Sequence, residues 1–473
     1  MRYRVTVMFG KPLPATTDAF HVRRAVMELS CDYFNSRKDE HKSLAKSFIS
    51  EARSSWFAHA ADDTLGMKVT YGKALIASVA LARAISSKVT EDKHIGILLP
   101  TSCAGMIANI AAALLGRSAV NLNFTTSKQA FAHSIEQCGM HVILTSRKFI
   151  ERFPQYEISE DKLVYIEDVL KNLTTKTKLS CALAAACYPL KWMVPATAQT
   201  DADDVAMVLF SSGSTGEPKG VMLSHHNVIS MIESLRMMLA TTPEDHICGT
   251  LPLFHSFGIM GCIWYPLLKH VRVTMHPNPL DAQAVVDIVR NQKSTMIFGT
   301  PTFLSIYARK ATREDFQTLR FILAGAEKLK ESLIKTYEEK YGVRPYEAYG
   351  ATELSPGIAV SVPHGTGGGV VQEGWKTGRV GLPCPGIAMK VLDPDTGEEM
   401  APGQPGLLYL KGPNVMLGYL QREDLTSEVL KDGWYCTGDI AFIDDDGFVG
   451  LTDRLSRFSK IGGEMVPHVG VEE

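Results

Sequence analysis

A turn rich in hydroxyl groups and glycine, near the middle of the chain, could hold an anion. In the segment "VLFSSGSTGEPKGVMLSH", Ser211, Ser212, Ser214 and Thr215 lie among Gly213, Gly216 and Gly220, and Lys219 follows the four hydroxyl residues. Glycines let backbone N–H groups approach an anion, hydroxyls add donors and the lysine adds positive charge. These properties predict a phosphate site. The turn is not a Walker loop, because that pattern needs G-x-x-x-x-G-K-[ST] and Lys219 stands here between Pro218 and Gly220.

The residues around this turn predict the elements that position it. "DVAMVLF" is apolar enough for a core strand, and "GVMLS" resumes strand character after the turn. Ser224 can then cap a helix. The apolar stripe of this helix is Val228, Met231, Ile232, Leu235, Met238 and Leu239. The turn is therefore expected at the end of a strand.

The rest of the chain alternates apolar strands with helices from about residue 70. "HIGILLP", "SAVNLNF", "HVILTS", "KLVYIED", "STMIFGT" and "RFILAGA" repeat the strand pattern, which predicts an α/β protein with parallel sheets covered by helices. From about residue 375 to 450 the strands are short and are separated by "PDTGE", "PGQPG" and "DDDG". This turn chemistry predicts a small β-rich subdomain.

Composition narrows the class of protein. The 473 residues are 45% apolar and 21% charged, with a formal net charge of −2, so nucleic acid is not a favoured partner. Nine scattered cysteines form no CxxC pair, which disfavours a disulfide framework or a zinc site and favours a reducing cytoplasm. The most apolar long stretch, residues 95–116, is interrupted by polar residues and predicts a strand, a turn and a helix, not a membrane span.

Several motifs together resemble the acyl-adenylating superfamily, which includes acyl-CoA synthetases. In chain order they are "SSGSTGEPKG", "LPLFHSFG" (251–258), "AGAEKL" (324–329), "YGATE" (349–353), "YCTGD" (435–439) and "DRLSRFSKIGGEMVP" (453–467). The resemblance implies a large N-terminal domain of two parallel-type sheets with helices and a small distorted β-barrel. It also implies that ATP activates a carboxylic acid as an acyl-adenylate, with Mg²⁺ as cofactor.

The resemblance carries nucleotide roles onto matching positions. The phosphate group would be held by Ser211, Ser212, Gly213, Ser214, Thr215, Gly216 and Lys219. Glu353, with the Ser211 hydroxyl, would bind Mg²⁺, and Thr352 would contact the α-phosphate; Lys219, Thr352 and Glu353 form the expected catalytic set. Adenine would lie against Gly325, Ala326, Glu327, Tyr349 and Gly350. Asp439 and Arg454 would bind ribose, and Lys460 would approach the nucleotide.

The acyl substrate would lie beside a different group of residues. By resemblance, His255 gates the carboxylate entrance next to Phe257, and Thr300, Pro301 and Phe303 line an acyl tunnel. The many small and apolar residues favour a fatty acid over an amino acid. His276 and Asp281 match the H-x-x-x-x-D spacing of glycerolipid acyltransferases, but they lie between a strand and a helix and are not expected to be catalytic.

The end of the match departs from the family pattern. The hinge position, usually Lys or Asp, is Ser456 here, and the chain reaches Glu473 before the mobile C-terminal lid that carries a lysine used in adenylation. The lid is therefore expected to be absent, and turnover by this fragment impaired. The expected organisation is an adenylating α/β part at 56–374, a β-rich subdomain at 375–452 and a hinge at 453–473.

Two segments narrow the resemblance to bifunctional acyltransferase/acyl-[acyl-carrier-protein] synthetases. "RFSKIGGEMV" resembles their hinge, and the alternating "VTVMFGKPLP" resembles the last acyltransferase strand, which makes 1–15 an expected acyltransferase tail and 16–55 linker helices. This branch implies a fatty acid, transfer to the phosphopantetheine of acyl carrier protein, and lysophospholipid reacylation at the cytoplasmic face of the inner membrane.

Alternatives remain open from sequence. The chain could be a fatty acyl-CoA ligase, or a module that binds nucleotide and acyl group without full turnover. The segment "LKNLTTKTKLSCALAAACYPLKWM" combines lysines with an apolar patch and a tryptophan. It predicts either an interfacial helix on anionic lipid or a helix buried on the sheet.

Overall fold

The computed structural model describes residues 6–89, 92–211, 218–367, 370–454, 458–461 and 464–467. Short 3₁₀ segments occur at 38–40, 160–162 and 352–354, and a π-helical turn at 260–264. The α-helices are α1 (Ala19–Ser36), α2 (Leu44–Ser54), α3 (Tyr71–Ile85), α4 (Cys103–Leu114), α5 (Lys128–Gln137), α6 (Arg147–Ile150), α7 (Ile166–Lys171), α8 (Thr175–Cys187), α9 (Leu190–Met193), α10 (His225–Leu239), α11 (Ser256–Ile259), α12 (Tyr265–Lys269), α13 (Ala282–Gln292), α14 (Pro301–Lys310), α15 (Glu331–Tyr341) and α16 (Glu423–Val429).

The largest sheet has nine strands, and its centre is parallel. Antiparallel pairs occur at its two edges. The alternation of apolar strands and helices in the sequence does not predict these antiparallel pairs. In spatial order the strands are β17 (Leu382–Pro383), β14 (Gly357–Val360), β13 (Pro345–Gly350), β12 (Phe321–Gly325), β11 (Met296–Gly299), β9 (His246–Gly249), β10 (Arg272–Met275), β1 (His59–Asp63) and β2 (Lys68–Thr70).

A second sheet of seven strands carries the hydroxyl- and glycine-rich turn. In spatial order its strands are β20 (Gly418–Tyr419), β8 (Lys219–Ser224), β7 (Val205–Ser211), β4 (Ser118–Asn121), β3 (His94–Leu98), β5 (Ile143–Thr145) and β6 (Leu163–Tyr165). The predicted strands on both sides of the turn pair antiparallel, so that Ser211 faces Lys219 across the ladder. The short β20 joins β8 from far along the chain, with Tyr419 opposite Val221.

A third, antiparallel sheet forms the predicted β-rich region. Its strands are β18 (Ala388–Leu392), β19 (Gly406–Lys411), β22 (Trp434–Ile443) and β21 (Leu430–Lys431), and β23 (Val449–Arg454) also pairs with β22. Two small hairpins complete the described strands: β15 (Gly365–Gly367) with β16 (Val370–Gln372), and β24 (Phe458–Ile461) with β25 (Glu464–Pro467).

Helices α4 and α10 lie between the two large sheets. Helix α4 contacts β1 of one sheet and both β3 and β4 of the other, which explains why nearly all its residues are apolar and buried. Helix α10 contacts β8 and β14, and it begins at Ser224 as predicted. The Ser224 hydroxyl accepts from the Asn227 backbone N–H, and the Asn227 side chain accepts from that of Ser224. Such a capping box stabilises a helix start by about 1 kcal/mol.

The N-terminal residues differ from the prediction in one respect. Residues 6–14 form no strand, and the side chains of Val7 and Phe9 are exposed, so the strand predicted there is wrong over the described residues. Alternation indicates a strand only where a partner strand satisfies its backbone, and none pairs with this segment in the described structure. The predicted helices after it are present: α1 packs on β18, and α2 on α3 and α12.

No helix within the described ranges is long and apolar enough to cross a membrane.

Candidate active site

One large cavity collects side chains from all three sheets. Its volume is about 1670 Å³. The walls include most of the residues that the motifs predict: Ser211, Lys219, His255, Phe257, Thr300, Phe303, Gly325, Ala326, Glu327, Tyr349, Gly350, Thr352, Glu353 and Asp439. Residues that are far apart in sequence therefore face the same space.

Lys219 and Glu353 meet at a tyrosine that the motifs do not contain. The Tyr419 hydroxyl donates to Glu353 Oε1 at 2.9 Å, and the Lys219 ammonium lies 5.2 Å from the centre of the Tyr419 ring. Burial, followed by the charge of Glu353, raises the pKa of Tyr419 above its ordinary value. The hydroxyl therefore stays protonated and remains a donor to the carboxylate. One tyrosine therefore contacts an anion through its hydroxyl and a cation through its ring.

The backbone around Glu353 fixes the position of its carboxylate. Glu353 lies in the 3₁₀ segment that follows β13, and its carbonyl accepts from the Met416 N–H at 2.8 Å. Gly350 ends β13, where a Cβ atom would lie 2.1 Å from the Pro356 carbonyl oxygen. Only glycine fits such an approach. The neighbouring Thr352 hydroxyl lies 3.4 Å from the Ser256 hydroxyl, on the cavity wall.

The residues predicted for adenine and ribose also lie together. The Tyr349 hydroxyl donates to the Asp439 carboxylate, and the Asp439 backbone N–H donates to Thr437 Oγ1 at 3.0 Å. Arg454 is the ladder partner of Asp439 between β22 and β23, which places their backbones side by side. Glu327 also makes structural hydrogen bonds, because its carboxylate accepts from both the backbone N–H and the hydroxyl of Thr302.

The predicted acyl residues line the cavity with one exception. His255, Phe257, Thr300 and Phe303 contribute to its wall, whereas Pro301 is buried as the first residue of α14 and does not. The His255 side chain is exposed within the cavity, yet the surrounding walls lower its pKa by desolvation. Desolvation thus disfavours the charged form of the imidazole at this place.

The cavity continues into an apolar region that the motifs do not reveal. Leu235 and Leu239 of α10, Tyr265 of α12 and Phe298 of β11 line this region. The Tyr265 hydroxyl is hydrogen-bonded to the Thr241 hydroxyl at 2.7 Å, so it adds no unpaired polar group. The helical stripe at Leu235 and Leu239 was visible in sequence, but the same stripe is expected of any core helix.

A half-buried acid, Glu347, is another wall residue that sequence reasoning missed. It lies on β13, and its Oε1 accepts from the Leu329 N–H at 3.2 Å. Burial raises the pKa of Glu347 to about 7. No pattern in the sequence distinguishes this glutamate from a surface acid.

Some predicted site residues cannot be placed. Ser212, Gly213, Ser214, Thr215, Gly216 and Ser456 lie outside the described residues, as do the side chains of Arg454 and Lys460. The rejected pair His276 and Asp281 has structural contacts instead: Asp281 caps α13, and His276 Nδ1 lies 2.7 Å from the Thr64 hydroxyl.

Curated relatives share sequence with much of this chain. A long-chain-fatty-acid–CoA ligase of Salmonella typhimurium is 30% identical over 372 residues, which cover 72% of this chain and 63% of the relative. Probable 4-coumarate–CoA ligase 1 of Dictyostelium discoideum is 34% identical over 276 residues, covering 57% of this chain and 48% of the relative. The chain thus spans about half to two thirds of the length of these relatives.

Solved structures share the fold. O-succinylbenzoate coenzyme A synthetase of Bacillus subtilis, in complex with AMP, superposes with a TM-score of 0.74 at 24% identity, over 90% of this chain and 82% of that one. An anthranilate CoA ligase in complex with anthranoyl-AMP gives a TM-score of 0.77 at 19% identity, over 91% and 82%. The predicted adenylate-forming fold is therefore confirmed. The family described as "AMP-binding enzyme" matches residues 53–420, and the chain belongs to this family.

Proposed function

We propose that this chain binds ATP and a fatty acid in the cavity and joins them as an acyl-adenylate. A carboxylate oxygen of the acid attacks the α-phosphorus, the bond from that phosphorus to the oxygen bridging to the β-phosphate breaks, and pyrophosphate leaves with the electron pair. The substrate is its own nucleophile, so the protein contributes alignment and charge stabilisation. The observation that carries the proposal is the meeting of Lys219 and Glu353 at Tyr419.

The phosphate end of the cavity combines the charges that this reaction needs. Lys219 and Ser211 face each other at the turn end of the β7–β8 hairpin, where positive charge and a hydroxyl can meet the outer phosphates. Lys219 would offset negative charge on the departing pyrophosphate. Thr352, on the opposite wall, would position the inner phosphate.

AMP-binding ligases use ATP with Mg²⁺, so family membership confirms that cofactor prediction. Among the described residues, no group of three or more His, Cys, Asp or Glu side chains could enclose a metal ion. Mg²⁺ is commonly held by one or two carboxylates together with substrate phosphates, which fits Glu353 with the Ser211 hydroxyl. Bound there, Mg²⁺ supplies charge neutralisation at the phosphates. Tyr419 fixes the carboxylate that would hold it.

The sugar and base would occupy the adjoining wall. The Asp439 carboxylate, already oriented by Tyr349, can accept hydrogen bonds from ribose hydroxyls. The Tyr349 ring and the backbone of Gly325 and Ala326 would lie along adenine. Gly325 suits this contact, because a Cβ atom there would already lie 3.3 Å from the Phe257 ring.

The apolar region supports a fatty acid as the second substrate. Leu235, Leu239, Tyr265 and Phe298 offer hydrocarbon and aromatic surface without an unpaired charge. The Salmonella relative is named for long-chain fatty acids, whereas the Dictyostelium relative is named for 4-coumarate. An aromatic acid is therefore the competing substrate class. Competition between fatty acids and hydroxycinnamic acids, with acyl-AMP measured by mass spectrometry, separates the two.

We propose a thiol as the final acceptor of the acyl group. Acyl carrier protein, with lysophospholipid reacylation at the inner membrane, remains the prediction from the hinge motif. CoA is the second candidate, because the relatives are named as CoA ligases. Equal concentrations of holo-carrier protein and CoA offered to the complete protein would show which thioester forms faster.

ATP–pyrophosphate exchange by the complete protein tests the adenylation step. Glu353→Gln keeps the side-chain size but removes the charge, and we expect exchange to fall to background. Glu314→Gln, at an exposed position outside the cavity, is the matched control and should retain full exchange. Exchange that survives Glu353→Gln contradicts the proposed role. A complete protein that binds ATP but shows no exchange would instead be a binding module.

A further inference from the structure

Helix α8 carries its large apolar side chains on its exposed face, unlike a core helix. Its buried residues are the small Cys181, Ala184 and Ala185, whereas Leu179 and Leu183 are 67% and 55% exposed. Leucines four residues apart lie on one face of a helix, so the exposed leucines form a stripe. A helix buried on the sheet would show the opposite arrangement. The apolar stripe faces outward.

The stripe continues onto α9 and its preceding turn. Trp192 is 68% exposed and Tyr188 38% exposed, and their rings contact each other edge to face at 6.4 Å between centroids. Leu179, Leu183, Tyr188 and Trp192 together are called the α8–α9 patch below. None of the four lines the large cavity, so the patch is separate from the proposed active site.

Two arginines hold the patch in this orientation. Arg53 of α2 donates to the carbonyl oxygens of Ala185 and Tyr188, at 2.9 and 2.5 Å, at the C-terminal end of α8. Arg83 of α3 donates to the Met193 carbonyl at 2.7 Å and to the Ser180 hydroxyl at 3.1 Å. These bonds satisfy helix-terminal carbonyls and keep the small face against α3. The outward position of the leucines is thus built into the packing.

The segment that carries the patch has charged side chains of a single sign. Between residues 169 and 200 the chain contains no Asp or Glu, but it contains Lys171, Lys176, Lys178 and Lys191, all exposed. Lys176 precedes Leu179 by three residues and so lies on the same face of α8. Exposed leucines with an interfacial tryptophan and a lysine border are the features of a surface that lies in a lipid headgroup region. Anionic lipid supplies the complementary charge.

We propose that the α8–α9 patch docks this protein on an anionic lipid bilayer. The leucines and Trp192 enter the headgroup region, and the lysines remain at the level of the lipid phosphates. Attachment is peripheral, since the patch belongs to two short helices packed on the protein surface. This proposal stands on the patch alone and does not depend on the reaction in the cavity.

Co-sedimentation of the full chain with vesicles tests the proposal. Vesicles of phosphatidylcholine with phosphatidylglycerol should bind the protein, vesicles of phosphatidylcholine alone should bind it weakly, and high salt should reduce binding. The double variant Leu179→Ser/Leu183→Ser should weaken binding at least about tenfold. The control Leu65→Ser/Leu280→Ser changes two equally exposed leucines outside the patch and should bind as the wild type does.

Charge reversal gives a second, independent variant. Lys176→Glu/Lys178→Glu should also weaken binding about tenfold or more, whereas Lys310→Glu/Lys335→Glu, on exposed positions elsewhere, should not. Both lysines are exposed, so this pair decides the outcome if the serine variant does not fold. Adenylation of a short, soluble fatty acid should be unchanged in all four variants.

Fluorescence reports on the patch directly. Trp192 should shift to shorter wavelength on adding anionic vesicles and be quenched by brominated lipid, and Trp192→Phe should abolish the shift. Absence of binding to anionic vesicles, or binding unaffected by both patch variants, overturns the proposal. A wild-type dimer that Leu179→Ser/Leu183→Ser converts to monomer without lipid also overturns it, because a second copy would then cover the patch.

Discussion

Removal of the Tyr419 hydroxyl tests whether its hydrogen bond to the Glu353 carboxylate matters for catalysis. Tyr419→Phe deletes the 2.9 Å hydrogen bond to Glu353 Oε1 but leaves the ring beside Lys219. A hydrogen bond to a charged group contributes about 1.5–3 kcal/mol. If the carboxylate must be held in place to bind metal and phosphate, kcat/KM should fall about 10- to 100-fold. The loss should be larger at limiting Mg²⁺ than at saturating Mg²⁺, because the carboxylate is less well positioned.

ATP–pyrophosphate exchange by the complete protein, over a Mg²⁺ titration, measures this effect. The control is Tyr156→Phe, which also loses one buried tyrosine hydrogen bond, to the Thr126 carbonyl at 2.7 Å, but outside the cavity. The control should keep kcat/KM within about twofold of the wild type. If Tyr419→Phe behaves like the control at every Mg²⁺ concentration, Tyr419 does not position Glu353 for the reaction.

Three further predictions concern other residues of the cavity. Burial raises the pKa of Glu347 to about 7 from 4.5, so the folded protein keeps a proton that the unfolded chain loses in this window. The free energy of unfolding therefore falls as pH rises from about 4.5 to about 7, by at most about 3 kcal/mol. Thermal melts recorded below pH 4.5 and above pH 7 should show this fall in the wild type and not in Glu347→Gln. Gly350→Ala should destabilise the protein by about 1–3 kcal/mol in urea unfolding, since its Cβ would meet the Pro356 carbonyl, while Gly299→Ala, whose Cβ would make only an ordinary contact with Leu304 at 3.6 Å, should not. Leu239→Trp should fill the apolar region and lower exchange with the longest fatty acids about tenfold relative to short ones; an unchanged chain-length profile would place the acyl chain elsewhere.

The sequence was sufficient for elements whose residues repeat with a clear period. The strands around residues 95, 208 and 323 and the Ser224-capped helix lie where their apolar patterns predict them. Over residues 6–14 the strand expected near the start is wrong, because alternation says nothing about whether a partner strand exists. The alternation of strands and helices likewise could not reveal that the short β20 pairs antiparallel with β8, since this pairing joins residues about 200 positions apart in the chain.

In the candidate site too, some residues were predictable from sequence motifs and others were not. Lys219, Thr352, Glu353 and Asp439 belong to motifs and were found from sequence, and the structure brings them to one cavity. Tyr419 lies in a two-residue strand, which is too short for any periodic signal, and its partner Glu353 is 66 residues away. The outward direction of Leu179 and Leu183 was likewise undetermined, because an apolar helix looks alike whichever face is buried.

The position of β20 has a consequence for the order in which the site can be made. Ser211 and Lys219 are joined by a local hairpin, but the strand that borders it is not reached until Tyr419. On the ribosome, an unfinished chain that ends near residue 400 would have the hairpin and the base wall, yet not the tyrosine that contacts both Lys219 and Glu353. Long-range pairing closes slowly compared with local pairing. The ability to bind nucleotide is therefore expected to be among the last properties that the nascent protein acquires.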